Sequence, residues 1–173
     1  FGKAVRVVVR PAEWFHGRTH IAGDGTPVVH IDPRTDRRTT RVHELFHLLG
    51  YADGVPSLRF QVPVSWDAGH TNELLWLESQ LRGAIQHAGF YGSMREMGLD
   101  PDANLRKEIR GMLAGGPRAG ANGTVRNLEL RLLVLDLRAH LECSDPALVE
   151  IFDSWFRGAV SPAIASLASE AVA

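Results

Sequence analysis

Apolar residues recur along this chain in two rhythms. Near the start they form short branched stretches: Val5, Val7, Val8 and Val9 before Pro11, a weaker stretch at Arg18-Thr19-His20-Ile21, and Val28, Val29 and Ile31 after Pro27. Such stretches predict strands, with Pro11 ending the first and Gly23-Asp24-Gly25 turning the chain back into the third. Ala12 to His16 reads as a short helix or turn. From about residue 40 the spacing becomes helical. Val42, Leu45, Phe46 and Leu49 mark a core-facing side, with Asp36 or Thr39 as a cap and Gly50 as a stop. A loop and a short strand from Leu58 to Val64, interrupted by Pro63, lead to a second helix from Asn72 to about His87. Its stripe is Leu74, Leu75, Leu77, Leu81 and Ile85, and Gly89 ends it. Phe90 to Met97 is ambiguous. A helix capped by Asp100 or Asp102 runs to Leu113, a strong one spans Val125 to Glu142, Ser144-Asp145-Pro146 opens another, and Ser161-Pro162 opens the last.

The pattern gives an α+β fold: a small N-terminal β-sheet beside a helix near residues 40–50, followed by a mainly helical C-terminal part. It divides the chain into a domain at 1–113, a flexible linker or loop at 114–123 that is rich in glycine, and a helical subdomain at 124–173. A hydrophobic content of 45% is enough for a core. The net charge of −1, with signs mixed, argues against a nucleic-acid binder, which carries a basic surplus. A single cysteine, Cys143, rules out both a disulfide framework and a cysteine-based zinc site. No apolar run approaches the roughly 18–20 residues of a membrane span. No signal peptide is visible, and the start at Phe1-Gly2-Lys3 reads as a fragment of a longer protein. The expectation is a cytoplasmic protein or a delivered effector domain.

One stretch carries chemistry. His43-Glu44-Leu45-Phe46-His47 is His-Glu-x-x-His. Residues four apart lie on one face of a helix, so His43 and His47 can close on one metal ion with Glu44 beside them as general base. A catalytic zinc keeps three protein ligands and one open position. Three carboxylates compete for the third place: Glu73, Asp53 and Glu78. Glu73 opens the second helix, and Glu78 faces another side of it, so only one of the two can reach the ion. His16, His20 and His30 lack the motif's spacing and read as surface or edge histidines.

With Asn72-Glu73 downstream, the motif resembles the gluzincin group of zincin metallopeptidases, over residues 26–82 or so. The resemblance implies Zn2+ held by His43, His47 and Glu73. His43 to Asp53, read as His-Glu-x-x-His-x-x-Gly-x-x-Asp, is similar instead to the aspartate form of the metzincins. That form implies Asp53 as ligand and a methionine turn at Met94 or Met97. Thr39 to Leu45 after a strand looks like the ImmA/IrrE-type regulatory proteases. Trp76 to Arg82 is loosely similar to bacterial effector and toxin-type metallopeptidases. All imply hydrolysis of a peptide or protein substrate by a zinc-bound water, with Glu44 as base and an oxyanion donor among Tyr51, Tyr91, His70 and Arg82. Val28–Ile31 is either a sheet edge that pairs with an extended substrate or a core strand. The competing expectation is a binding or regulatory module with a structural or vestigial metal site. Its C-terminal helices recognise a partner, and His70 can close the site as a fourth ligand.

Overall fold

In the computed structural model of the chain, residues 2, 4–12, 17–54, 60–63, 65–116 and 128–172 are described. The architecture is α+β, a small N-terminal sheet followed by a mostly helical remainder. The chain forms two compact units: Phe1–Pro56 with Gly89–Pro101, and Ser57–Ala88 with Asp102–Ala173.

The first unit holds strands β1 (Arg6–Val9), β2 (Gly17–Ile21) and β3 (Pro27–Ile31) and helix α1 (Arg37–Ala52). The sheet order is β1-β3-β2, with β1 parallel and β2 antiparallel to β3. Val28–Ile31 is therefore the central strand. The expectation of a sheet edge there is corrected, because β3 is hydrogen-bonded on both sides. The turn at Asp24-Gly25 closes β2 onto β3: Gly25 donates to the Ala22 carbonyl, Asp24 accepts from the Thr26 amide, and Gly25 takes a φ of +79°. From β3 the chain enters α1 through Asp32, a buried carboxylate that accepts from the Arg34 amide and side chain. These bonds hold the Asp32 carboxyl well below the usual carboxylate range.

Asp36, not Thr39, caps α1, accepting from the Arg38 amide at 3.0 Å. The helix passes Gly50 and ends two residues later, where the Asp53 amide reaches the Leu49 carbonyl and Gly54 adopts φ +70°. Its core side also differs from expectation. Leu48 and Leu45 pack under Val29 and Ile31, while Leu49 is 54% exposed. Val42 and Phe46 form a second apolar face against Phe90, Tyr91, Met94 and Leu99.

Phe90, Tyr91 and Met94 come from the far end of α2 (Ala68–Glu96), a 29-residue helix that continues through Gly89 and Gly92. A mid-helix glycine costs up to about 1 kcal/mol relative to alanine. Burying Phe90, Tyr91 and Met94 returns about 1.5–3 kcal/mol for each side chain and outweighs it. The helix closes only where Gly98 takes φ +73° and the buried Leu99 sends its amide back to the Met94 carbonyl.

The second unit contains α3 (Ala103–Gly115), α4 (Leu128–Glu142), α5 (Pro146–Ala159) and α6 (Pro162–Val172), packed around Leu105, Ile109, Leu132, Leu135, Phe152 and Phe156. Asp145 caps α5 as its sequence foretells, accepting from the Leu148 amide at 3.1 Å. The sequence division at residue 113 does not follow the units, since α3 packs with α4 and α5. Ala114 and Gly115, expected in the linker, are the last turn of α3. The rest of that linker beyond Gly116, the expected start of α4 at Val125, the segment Glu13 to His16, and Leu58, Arg59 and Val64 lie outside the described residues; the described residues 60–63 of the expected strand at 58–64 form no strand, Pro63 interrupting the segment.

Candidate metal centre

Successive residues of α1 point about 100° apart, so His43/His47 and Glu44/Leu48 form adjoining rows. The Glu44 row faces the sheet. The Glu44 side chain is buried and accepts a 2.6 Å hydrogen bond from the Thr19 hydroxyl on β2. The same hydroxyl lies 3.2 Å from the Glu44 carbonyl, so one side chain of β2 grips both ends of the residue. Burial pushes the Glu44 carboxyl up to about 7, with the Thr19 bond pulling the other way.

This close approach needs Gly17. A Cβ there would stand 2.6 Å from Glu44 Oε1, 2.8 Å from Glu44 Cγ and 2.6 Å from Thr40 Cγ2. Gly17→Ala is expected to force β2 off α1 and lower stability by about 1–3 kcal/mol, the ordinary cost of overpacking. Thermal unfolding measures this. An alanine variant as stable as the parent would show that the contact gives way freely.

The histidine row meets α2. Nε2 of His43 and Nε2 of His47 converge to 3.0 Å, with Glu44 Oε1 4.0 Å from the first. Two imidazole nitrogens on one tetrahedral zinc stand about 3.3 Å apart, given Zn–N bonds of about 2.0–2.1 Å. The pair is thus close to the spacing that one ion requires. Phe90 braces both rings edge-on, at 5.5 Å from His43 and 5.2 Å from His47. Three residues before Phe90 on the same continuous helix stands His87. His43, His47 and His87 each offer a ring nitrogen within 4.8 Å of the other two, close enough to bind one metal ion. His87 Nδ1 lies 3.2 Å from Oε2 of Glu142, whose side chain is wholly buried. Burial works to raise the Glu142 carboxyl, but the His87 and Arg138 side chains against it outweigh this and hold the group below its ordinary value.

No family model, curated protein or solved structure matches the chain.

The site's geometry brings His43, Glu44 and His47 together as the motif requires. It does not bring in the three carboxylates expected to complete the site. Glu73 lies fourteen residues before His87 on α2, about 21 Å along the axis at 1.5 Å per residue. Glu78 lies about 13 Å from His87 by the same rise, accepts from the Phe60 amide at 2.8 Å and faces Arg82 at 3.6 Å. Asp53 is the exposed C-cap of α1, about 9 Å along that helix from His47. Of the oxyanion candidates, Tyr91 is buried with its ring 5.8 Å from that of His43 and Arg95 stacked on it, while Tyr51 is 47% exposed at the end of α1. Arg82 is engaged with Glu78, and His70 is paired with Asp67 at 2.9 Å. Met94 lies buried beneath Phe46 but on a helix rather than in a turn, and Met97 is half-exposed. His20 and His30, read as edge histidines, stack on each other at 5.2 Å on the sheet; His16 lies outside the described residues.

Sequence reasoning missed His87, Glu142, Gly17 and Thr19. His87 had a signal: with Phe90, Tyr91 and Met94 it makes a stripe at i, i+3, i+4 and i+7, visible once the helix is read through Gly89. The separation of Glu142 from His87 carries no signal. His87→Ala is expected to weaken metal binding, whereas Glu73→Ala leaves it within about twofold. Competition against a chromogenic chelator reads both, and metal loss in Glu73→Ala alone would restore the carboxylate ligand.

Proposed function

We propose that this protein is a zinc-dependent hydrolase of peptide bonds, with His43, His47 and His87 as metal ligands and Glu44 as general base. One observation carries the reading: the 3.0 Å convergence of the His43 and His47 Nε2 atoms with a buried carboxylate at their side. The donor set fits the ion. Three imidazoles are a common ligand set for catalytic zinc and leave a fourth position open. Zinc bound there supplies a Lewis acid for a carbonyl oxygen and makes water acidic enough to attack near neutral pH.

The chain's own residues do the rest. Glu44 is placed to take a proton from the attacking water and pass it to the leaving amine. Thr19 holds the carboxylate by its 2.6 Å hydrogen bond, so its orientation is set before substrate arrives. Phe90 fixes both imidazole planes, which lowers the cost of assembling the site. β2, the outer strand whose Thr19 touches Glu44, is the edge along which an extended peptide can add as a further strand.

The binding-module alternative has less support. His70, the residue needed to close a four-ligand site, is exposed and held by Asp67. The test is hydrolysis of a mixed peptide library by the purified chain. Cleavage is expected with zinc, abolished by a chelator and restored by adding zinc back. A zinc-loaded chain that cleaves no member of the library would overturn the enzyme reading.

A further inference from the structure

We infer that Glu142 is a positioning residue for the metal centre, reaching the ion through His87. This rests on the three-histidine reading proposed above. A neutral imidazole can ligate through only one nitrogen, and the hydrogen bond made by the other decides which. In water the Nε2–H form of histidine is the commoner, and it leaves Nδ1 as the ligand. Here Nδ1 of His87 lies 3.2 Å from Glu142 Oε2, an ion-pair contact off the line of a formed hydrogen bond. A carboxylate accepts and does not donate, so it selects the Nδ1–H form and leaves Nε2 with its lone pair.

The rest of the contact suits that task. Glu142 closes α4 and is 2% exposed, so water does not compete for its oxygens. Arg138, one turn earlier on α4, donates Nε to Oε1 at 3.0 Å and Nη2 to Oε2 at 3.3 Å. The fork pins the carboxylate plane and keeps its charge balanced in a buried setting. Carboxylates in this relation to a ligating histidine raise its basicity, and losing one weakens metal binding by about 10- to 100-fold.

Two measurements test this. In the metal-free protein, ring-nitrogen NMR shifts with His87 neutral should report the Nδ1–H tautomer; the Nε2–H tautomer would overturn the inference without any substitution. Zinc affinity by chelator competition should then fall about 10- to 100-fold in Glu142→Gln, which keeps the shape and removes the charge. In a His87→Ala background the same substitution should have no further effect. If it weakens zinc equally there, Glu142 acts through the fold and not through His87. If His87→Ala itself binds zinc like the parent, the three-histidine reading fails first. If His87→Ala weakens zinc and Glu142→Gln does not, the metal reading stands and the role given to Glu142 is wrong.

Discussion

Glu44→Gln is expected to keep the fold and the metal while hydrolysis falls by about 10²- to 10⁴-fold, the usual contribution of a positioned general base. Glutamine matches glutamate in shape, which matters because Gly17 packs so closely on the side chain that a Cβ there would meet Oε1 at 2.6 Å. Its amide oxygen can still accept from Thr19, so the 2.6 Å bond that holds the group survives. What the variant lacks is a site for the proton. The comparison needs three readings on one preparation: metal per chain, thermal midpoint, and rate on a cleaved peptide. Unchanged turnover at full metal content would remove Glu44 from the chemistry, and the buried carboxylate would then be a packing feature of β2 on α1.

The motif helix was legible in the sequence because its signals are local. A cap at Asp36, an apolar spacing and a four-residue histidine repeat each lie within a turn or two, and α1 realises all three. The strands were legible for the same reason, down to the turn at Asp24-Gly25. Glycine misled in both long helices. Gly50 and Gly89 are ordinary stop signals, but in this chain Phe90, Tyr91 and Met94 bury enough apolar surface to carry α2 onward. Ending that helix at Gly89 cut His87 off from the stripe it shares with Phe90, Tyr91 and Met94, and made Glu73, at the opposite end, look like the third ligand. Contacts between distant segments left no trace of any kind. That β3 lies between β1 and β2, that Thr19 meets Glu44, and that Glu142 meets His87 are properties of packing, not of spacing.

Zinc content should separate the ligands from the rest of the histidines. His43→Ala and His47→Ala are each expected to take the protein from one ion per chain to none retained through dialysis. Structural zinc sites of four ligands are stabilised by roughly 10–16 kcal/mol, so one lost ligand is worth about 2.5–4 kcal/mol, on the order of 100-fold in affinity. His70→Ala is the matched control: it removes an exposed imidazole paired with Asp67 and should keep the full complement. Stability should respond differently from metal content. The two ring nitrogens lie 3.0 Å apart beside the Phe90, Tyr91 and Met94 cluster, so truncating one side chain leaves that cluster in place. Added zinc should therefore raise the thermal midpoint of the parent and of His70→Ala, and leave that of His43→Ala and His47→Ala unmoved, because an ion stabilises only the state that binds it. Both alanine variants retaining one ion per chain would show that the metal, if bound, sits elsewhere.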